Sequence, residues 1–389
     1  MGRFIQKGTL EELNAFLTRF YLKEFIANGR SKIKFVTGSQ GSGKSYFLTL
    51  SEKDALACGY LVVSLDGREV PLYDFKEIYA SILHKIDLNT VIQRWADKVI
   101  EYCGYRPEDI PEGALFLNYL ASRGETDGLT RRKIRKALNE MFLNSSSCDG
   151  NYALACSMLT SSRLGYPLFP EGSEKTLFSW LYGEKELKMS EIRLAGLAPF
   201  KITKVNARRM FLSLVEVLKK AGYKGLCVYI DNFDSLLNLS GLDTIHYTKM
   251  RREDTYEIIR ELIDSIDSMH NVFFVFAFAK ALFEDEDHGI KSYQALWMRI
   301  QNEIIGTKFN CFADTIDLDR FESFFFDAGV LRAIYDNFRK VYGVSDTAPV
   351  SDETLLSLKR KARDSSCGVL SLLEEEVKKE QRAEEGDSL

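Results

Sequence analysis

Apolar positions along this chain follow two patterns. Short, nearly unbroken apolar runs occur at Lys32–Thr37 (KIKFVT), Tyr60–Leu65 (YLVVSL), Gly225–Ile230 (GLCVYI) and Val272–Phe278 (VFFVFAF). Runs of this length are expected as strands covered on both faces. Thr315–Leu318 is expected as a short last strand. Elsewhere the spacing is helical. Leu10, Leu13, Leu17, Phe20 and Phe25 recur near the helical period across residues 9–28, and Thr9 and Glu12 have capping-box spacing. Further helices are expected at Lys44–Ala57, Val205–Lys220 and Arg251–Met269.

The order strand, glycine-rich loop, helix, strand is the opening of an α/β fold with a parallel sheet. Residues 1–72 would hold an N-terminal helix and the first half of that core. Residues 73–198 carry helix-like stretches such as Val91–Tyr102 and Leu129–Phe142, broken by Gly, Pro and Ser, and are expected as a helical insertion. The second half of the core falls in 199–320, and 321–379 reads as all-helical. Residues 380–389 are charged and poor in apolar groups, and are expected to be disordered.

Between the first strand and its helix lies Gly38-Ser39-Gln40-Gly41-Ser42-Gly43-Lys44-Ser45, a match to G-x-x-x-x-G-K-[ST]. A flexible Gly/Ser turn would carry the glycines alone, but the flanking strand and helix are what a P-loop requires. The glycines admit backbone angles closed to other residues, so consecutive amides converge on phosphate oxygens at a helix start. Lys44 would reach the β- and γ-phosphates of ATP, and Ser45 would ligate Mg2+. Tyr46 follows directly and is counted with the nucleotide-binding stretch.

A P-loop site commonly has an aspartate at the end of a neighbouring strand to hold the metal shell. Gly225–Ile230 runs into Asp231-Asn232-Phe233-Asp234, and Asp231 is the candidate. A turn or helix-cap aspartate is the alternative. Hydrolytic relatives often place a glutamate next. Asn232 cannot accept a proton, although it can orient a water. Asp234 is either a substitute base or a helix cap.

Composition narrows the class. The 389 residues carry a formal net charge of -4, with 45% hydrophobic and 28% charged residues, an ordinary profile for a water-soluble protein. No overall positive charge draws the chain to nucleic acid or membrane. No apolar run approaches the roughly 20 residues of a membrane helix. The start, Met1-Gly2-Arg3-Phe4, lacks a secretory apolar region, and the seven cysteines have no C-x-x-C pair, so a reducing cytoplasm is expected. The four histidines are dispersed, which disfavours a His/Cys metal centre.

Four blocks carry a family resemblance: FVTGSQGSGKSYFL at Phe35–Leu48, APFKITKVNARRMFLSLVEVLKKAGYKGLCVYIDNFDSL at Ala198–Leu236, YTKMRREDTYEIIRELIDSID at Tyr247–Asp267, and VFFVFAFAKALFEDEDHGIKSYQALWMRI at Val272–Ile300. Together they resemble the P-loop ATP-binding proteins of BREX-type bacterial phage-defence systems, related to the ORC/Cdc6-like branch of AAA+ ATPases. The likeness covers about two-thirds of the chain and is weak between about residues 85 and 175. It implies an AAA+-like core with a C-terminal helical lid. It also implies a role in defence against foreign DNA, with self-assembly and partners such as a helicase. Arg299 lies where such a family presents a charge to a neighbouring γ-phosphate, with a helix-surface ion pair as the alternative. Two departures stand out. The strand Val272–Phe278 ends in Ala279-Lys280 rather than the usual Asn, Ser or Thr. Ser365-Ser366-Cys367-Gly368-Val369-Leu370 stands where relatives often carry a sensor arginine.

Two basic runs bear on DNA. Arg131-Arg132-Lys133-Ile134-Arg135-Lys136 would place several cations on one helix side, either tracking phosphates or simply solvated. Lys249, Arg251 and Arg252 follow Tyr247, which either stacks a base or anchors a helix start. Two functions are weighed: an ATP-driven component acting on DNA directly or through a helicase, and an ATP-gated assembly switch with little hydrolysis. A small-molecule kinase shares the loop, but the long helical segments argue against it.

Overall fold

The structure, a computed structural model, describes residues 9–125, 128–144, 147–239, 245–305, 309–344, 350–364 and 367–386. Five strands form one sheet: β1 (Lys32–Gly38), β2 (Leu61–Asp66), β3 (Leu226–Asp231), β4 (Val272–Ala279) and β5 (Thr315–Asp317). Their order is β2-β3-β4-β1-β5, and every pairing is parallel. All five sequence-expected strands are present, with boundaries moved by one residue or so.

The central strand explains its own apolar run. Val272 to Phe278 is buried throughout, and alternate side chains feed opposite faces. Phe274, Phe276 and Phe278 join Ile33, Phe35, Val228 and Ile230 in the core on one face. Phe273, Val275 and Ala277 join Val36, Cys227 and Tyr229 on the other. The first face is covered by helices that include Phe75–Lys85, Leu88–Tyr102, Gly150–Arg163 and Ala207–Lys220. The helices between residues 73 and 198 therefore share one continuous apolar core with that side of the sheet.

The second face is covered by the N-terminal helix, by Lys44–Ala57 and by the C-terminal helices. The N-terminal helix is α-helical over Leu10–Leu17 and continues in wider π-type turns over Thr18–Ile26. The Thr9 hydroxyl accepts from the Glu12 amide at 3.3 Å, as the capping spacing requires. Asn14 and Thr18 both donate to Asp54 at 2.9 Å, which ties this helix to the one after the glycine loop.

Four helices end the described chain: Leu318–Phe325, Ala328–Tyr342, Asp352–Asp364 and Val369–Gly386. The last corrects one expectation. Residues from 380 onward were expected to be disordered, but the helix runs to Gly386. Leu373 and Val377 are fully buried, and Glu380 accepts from the Tyr335 hydroxyl, so packing carries the helix past the point where apolar content falls. Residues 387–389 lie outside the described residues.

Candidate functional site

Strand β1 delivers Gly38 to the carboxyl edge of the sheet, where loops of parallel α/β folds form binding crevices. The loop then turns into the helix Lys44–Ala57. Gly41 and Gly43 have φ of 75° and 83°, a region that costs a side chain but not glycine. Lys44 Nζ donates to the carbonyls of Gly38 at 3.1 Å and Ser39 at 2.8 Å. Burial lowers the Lys44 pKa from its ordinary value, opposed by the charges of Asp234, Asp319, Asp231 and Glu322.

Ser45 Oγ donates to Asp231 Oδ2 at 2.6 Å. The acid comes from β3, which is not a direct neighbour of β1, because β4 lies between them. A loop serine and a strand-end carboxylate in contact are the pair a Mg2+ shell requires, so the residues present fit that ion, with phosphate and water oxygens completing its coordination. Among the described residues, no group of three or more His, Cys, Asp or Glu side chains is arranged to hold a metal alone.

Asn232 sits in the left-handed region, with φ 53° and ψ 36°. Its amide N–H donates to Asp231 Oδ1 at 2.8 Å. Its side chain hydrogen-bonds to Asp66 at the end of β2, the residue in register with Asp231. Asp66 also holds Arg68 Nε, at 3.0 and 3.1 Å. Despite the burial of Asp66, these bonds hold its pKa below the usual carboxylate value. Asp234 Oδ1 accepts from the Ala279 amide at 3.0 Å, so it secures the end of β4.

Lys44, Ser45, Asp231, Asn232 and Asp234 line a cavity of about 1200 Å³ together with Ser39, Gln40 and Gly41. Charged residues not singled out from the sequence as site groups join them, among them Lys280, Asp319 and Glu322. Asp319 accepts from the Ser39 amide at 3.0 Å and from its hydroxyl at 2.7 Å. Lys280 Nζ lies 2.7 Å from Asp319. Glu322 is 5% exposed, and Oε1 has no hydrogen-bond partner. Burial, then the charge of Asp319, raises its pKa to about 8. A signal for two of them was available. Lys280 directly follows β4 and Asp319 closely follows β5, at the edge where the loop opens.

The C-terminal segment closes directly on the loop. Gly368 donates its amide to the Gln40 carbonyl at 2.7 Å, and Gln40 and Cys367 form a parallel bridge. A Cβ on Gly368 would lie 2.6 Å from the Ser42 amide nitrogen, so only glycine permits this approach. Ser365 and Ser366 of that segment lie outside the described residues.

Other expected residues lie elsewhere. Tyr46 is 50% exposed and donates to Glu11 at 2.6 Å, away from the cavity lining. Arg299 makes a two-pronged pair with Asp264, at 2.5 and 2.7 Å, which is the ion-pair alternative. Tyr247 is fully buried, and its hydroxyl donates to the Val70 carbonyl, so within this fold it is not a base-stacking platform. Instead Arg251 lies 4.7 Å over the Tyr73 ring, and Arg252 donates to the Tyr247 carbonyl at 2.7 Å. Arg131, Arg132 and Lys133 are exposed on the helix Gly128–Leu138, while Arg135 donates to the Tyr166 hydroxyl at 2.8 Å. Among the described residues no helix is long and apolar enough to cross a membrane.

The family model described as BREX system ATP-binding protein BrxC/D matches residues 4–368, a longer span than the four blocks noted in the sequence. No curated protein and no solved structure matches the chain.

Proposed function

We propose, from the premise that this chain belongs to the BREX system ATP-binding protein family, that it is a phage-defence component governed by Mg·ATP bound at the glycine loop. The observation that carries this reading is the 2.6 Å contact between Ser45 and Asp231 beside Lys44. Loop amides and the start of the helix Lys44–Ala57 would receive the triphosphate. Lys44 would exchange its loop carbonyls for β- and γ-oxygens, and Ser45 and Asp231 would hold the metal shell. When bound, Mg2+ supplies charge neutralisation across those oxygens. We read the core as AAA+-like and the helices after β5 as its lid, docked on the loop through Gly368.

Turnover is slow in this reading. Asn232 cannot take a proton and is engaged with Asp66, while Asp234 holds the Ala279 amide. This favours an ATP-gated switch over a fast motor. Self-assembly and contact with other defence proteins, a helicase among them, belong to the same proposal. DNA contact through the exposed Arg131, Arg132 and Lys133 belongs to it as well, as does presentation of Arg299 to a neighbouring subunit.

Calorimetry tests the core claim. The native chain should bind Mg·ATP and Lys44→Ala should not. Absence of heat with the native chain rejects the proposal. Turnover measured with and without DNA then separates switch from motor, since fast DNA-stimulated hydrolysis rejects the switch.

A further inference from the structure

Strand β4 lies between the loop strand β1 and the acid strand β3, and Lys280 is the first residue beyond its end. The Lys280 amide donates to the Gly38 carbonyl at 3.3 Å, which stitches this position to the first residue of the loop. Its ammonium lies 2.7 Å from Asp319 Oδ2 and 3.3 Å from Asp317 Oδ1. Asp319 reaches the loop from the other side, accepting from the Ser39 amide and hydroxyl. An amide and a hydroxyl of the phosphate loop thus hold a carboxylate, an anion gripped by the same kinds of donor that bind phosphate.

The charges around the cavity give this arrangement a consequence. Carboxyl groups of Asp231, Asp234, Glu284, Asp319 and Glu322 line it with the ammonium groups of Lys44 and Lys280. A triphosphate, even as its metal complex, adds more negative charge. Two other cations line the cavity but are anchored differently. Arg320 lies 3.2 Å from Asp317, and Lys359 donates to the carbonyls of Ser323 and Phe326. The partner carboxylate of Lys280, on Asp319, itself touches the loop.

We propose that Lys280 and Asp319 form a gauge for the third phosphate: the Lys280 ammonium leaves Asp319 for the terminal phosphate of ATP, and stays with Asp319 when ADP is bound. The gauge rests on the reading that this cavity takes a nucleotide. It gives the site a preference for ATP over ADP without the polar residue expected at the end of β4. Asp319 also sits on the helix Leu318–Phe325, the first of the C-terminal helices, so the swap alters a contact between that helix and the loop.

The test is calorimetric titration of the full chain with Mg·ATP and with Mg·ADP, for native protein, Lys280→Met, Lys280→Arg and Asp319→Asn. Lys280→Met should weaken ATP about tenfold, the worth of one charge-assisted hydrogen bond, with ADP nearly unchanged. Lys280→Arg should keep most of the preference. Asp319→Asn should tighten ATP by about threefold, because it frees the ammonium and removes a negative charge. Native protein that binds neither nucleotide overturns the ATP reading and the gauge together. Native protein that binds both, with an unchanged ATP-to-ADP ratio in Lys280→Met, overturns the gauge alone. If Lys280→Met binds neither nucleotide, Asp319→Asn decides: an unchanged or weakened ATP preference overturns the gauge, and a strengthened one supports it.

Discussion

Ser45 and Asp231 meet across an intervening strand. Their side chains are 2.6 Å apart, although β4 separates β1 from β3. In a parallel sheet every strand ends at the same edge, so the loop after β1 can lean over the end of β4 and touch the carboxylate on β3. The contact depends on β1 and β3 each ending at this edge, which is why two residues 186 positions apart form one pair.

Asp231→Asn should keep the fold and weaken the Mg2+ dependence of ATP binding. The amide still accepts from Ser45, but it no longer offers an anionic oxygen to the metal. Titrations with and without Mg2+ check this. An undiminished Mg2+ effect in the variant would show that the metal is held by other groups.

At position 232 the backbone conformation separates two small substitutions. Both Asn232→Gly and Asn232→Ala lose the bond to Asp66, but only Ala keeps a Cβ at φ 53°. The Ala variant should be less stable than the Gly variant by about 1 kcal/mol. Urea unfolding of the pair reads the difference directly, and equal midpoints would contradict the strain argument.

Gly368→Ala places a methyl group 2.6 Å from the Ser42 nitrogen and 2.7 Å from its Cα, both backbone atoms. Either the loop or the segment leading into Val369–Gly386 must move. A loss of about 1–3 kcal/mol is expected, with weaker Mg·ATP binding. Native-like stability and affinity in this variant would mean that the segment is not seated on the loop in solution.

Glu322 gives the protein a pH dependence of defined sign. Burial and the charges of Asp319 and Asp317 raise its pKa, opposed by the Val369 amide and by Lys280, for a net value of about 8. Between the ordinary glutamate value of 4.5 and that raised value, the folded state holds a proton that the unfolded state has lost. Its contribution to stability is therefore full below about pH 4.5 and disappears as pH rises through about 8. Glu322→Gln should flatten this slope and gain most over native protein near pH 8. Melting temperatures of both proteins from pH 5 to 9 check it, and parallel curves would exclude ionisation of Glu322 as the cause.

Arg299→Ala should leave stability nearly unchanged, since the pair with Asp264 is partly exposed and screened. Mg·ATP affinity of the single chain should not change, because Arg299 is not among the residues lining its cavity. A large loss of binding would place this arginine nearer the nucleotide than the fold does.

Much of this site was legible before the fold. The loop Gly38–Ser45, the helix Lys44–Ala57 and the strand ending at Asp231 can be read locally, because spacing, glycine content and apolar runs act over a few residues. The basic run at Arg131–Lys136 was legible as a helix face, and the structure leaves all five of its cations exposed. Tyr247 was open to two readings, because a tyrosine beside arginines looks the same whether its ring is buried or free.

The amino-acid sequence by itself determined where the five strands form and which turn carries glycines at P-loop spacing. Those outcomes follow from local dihedral freedom and hydrophobic period. Only the tertiary structure decided which charges share the cavity with that turn. Ser39 and Asp319 are 280 positions apart, and the Gly368 segment reaches Gln40 only because the C-terminal helices fold back against the sheet. Electrostatic and hydrogen-bond contacts depend on distance in space, and chain spacing says nothing about distance until the sheet order sets it.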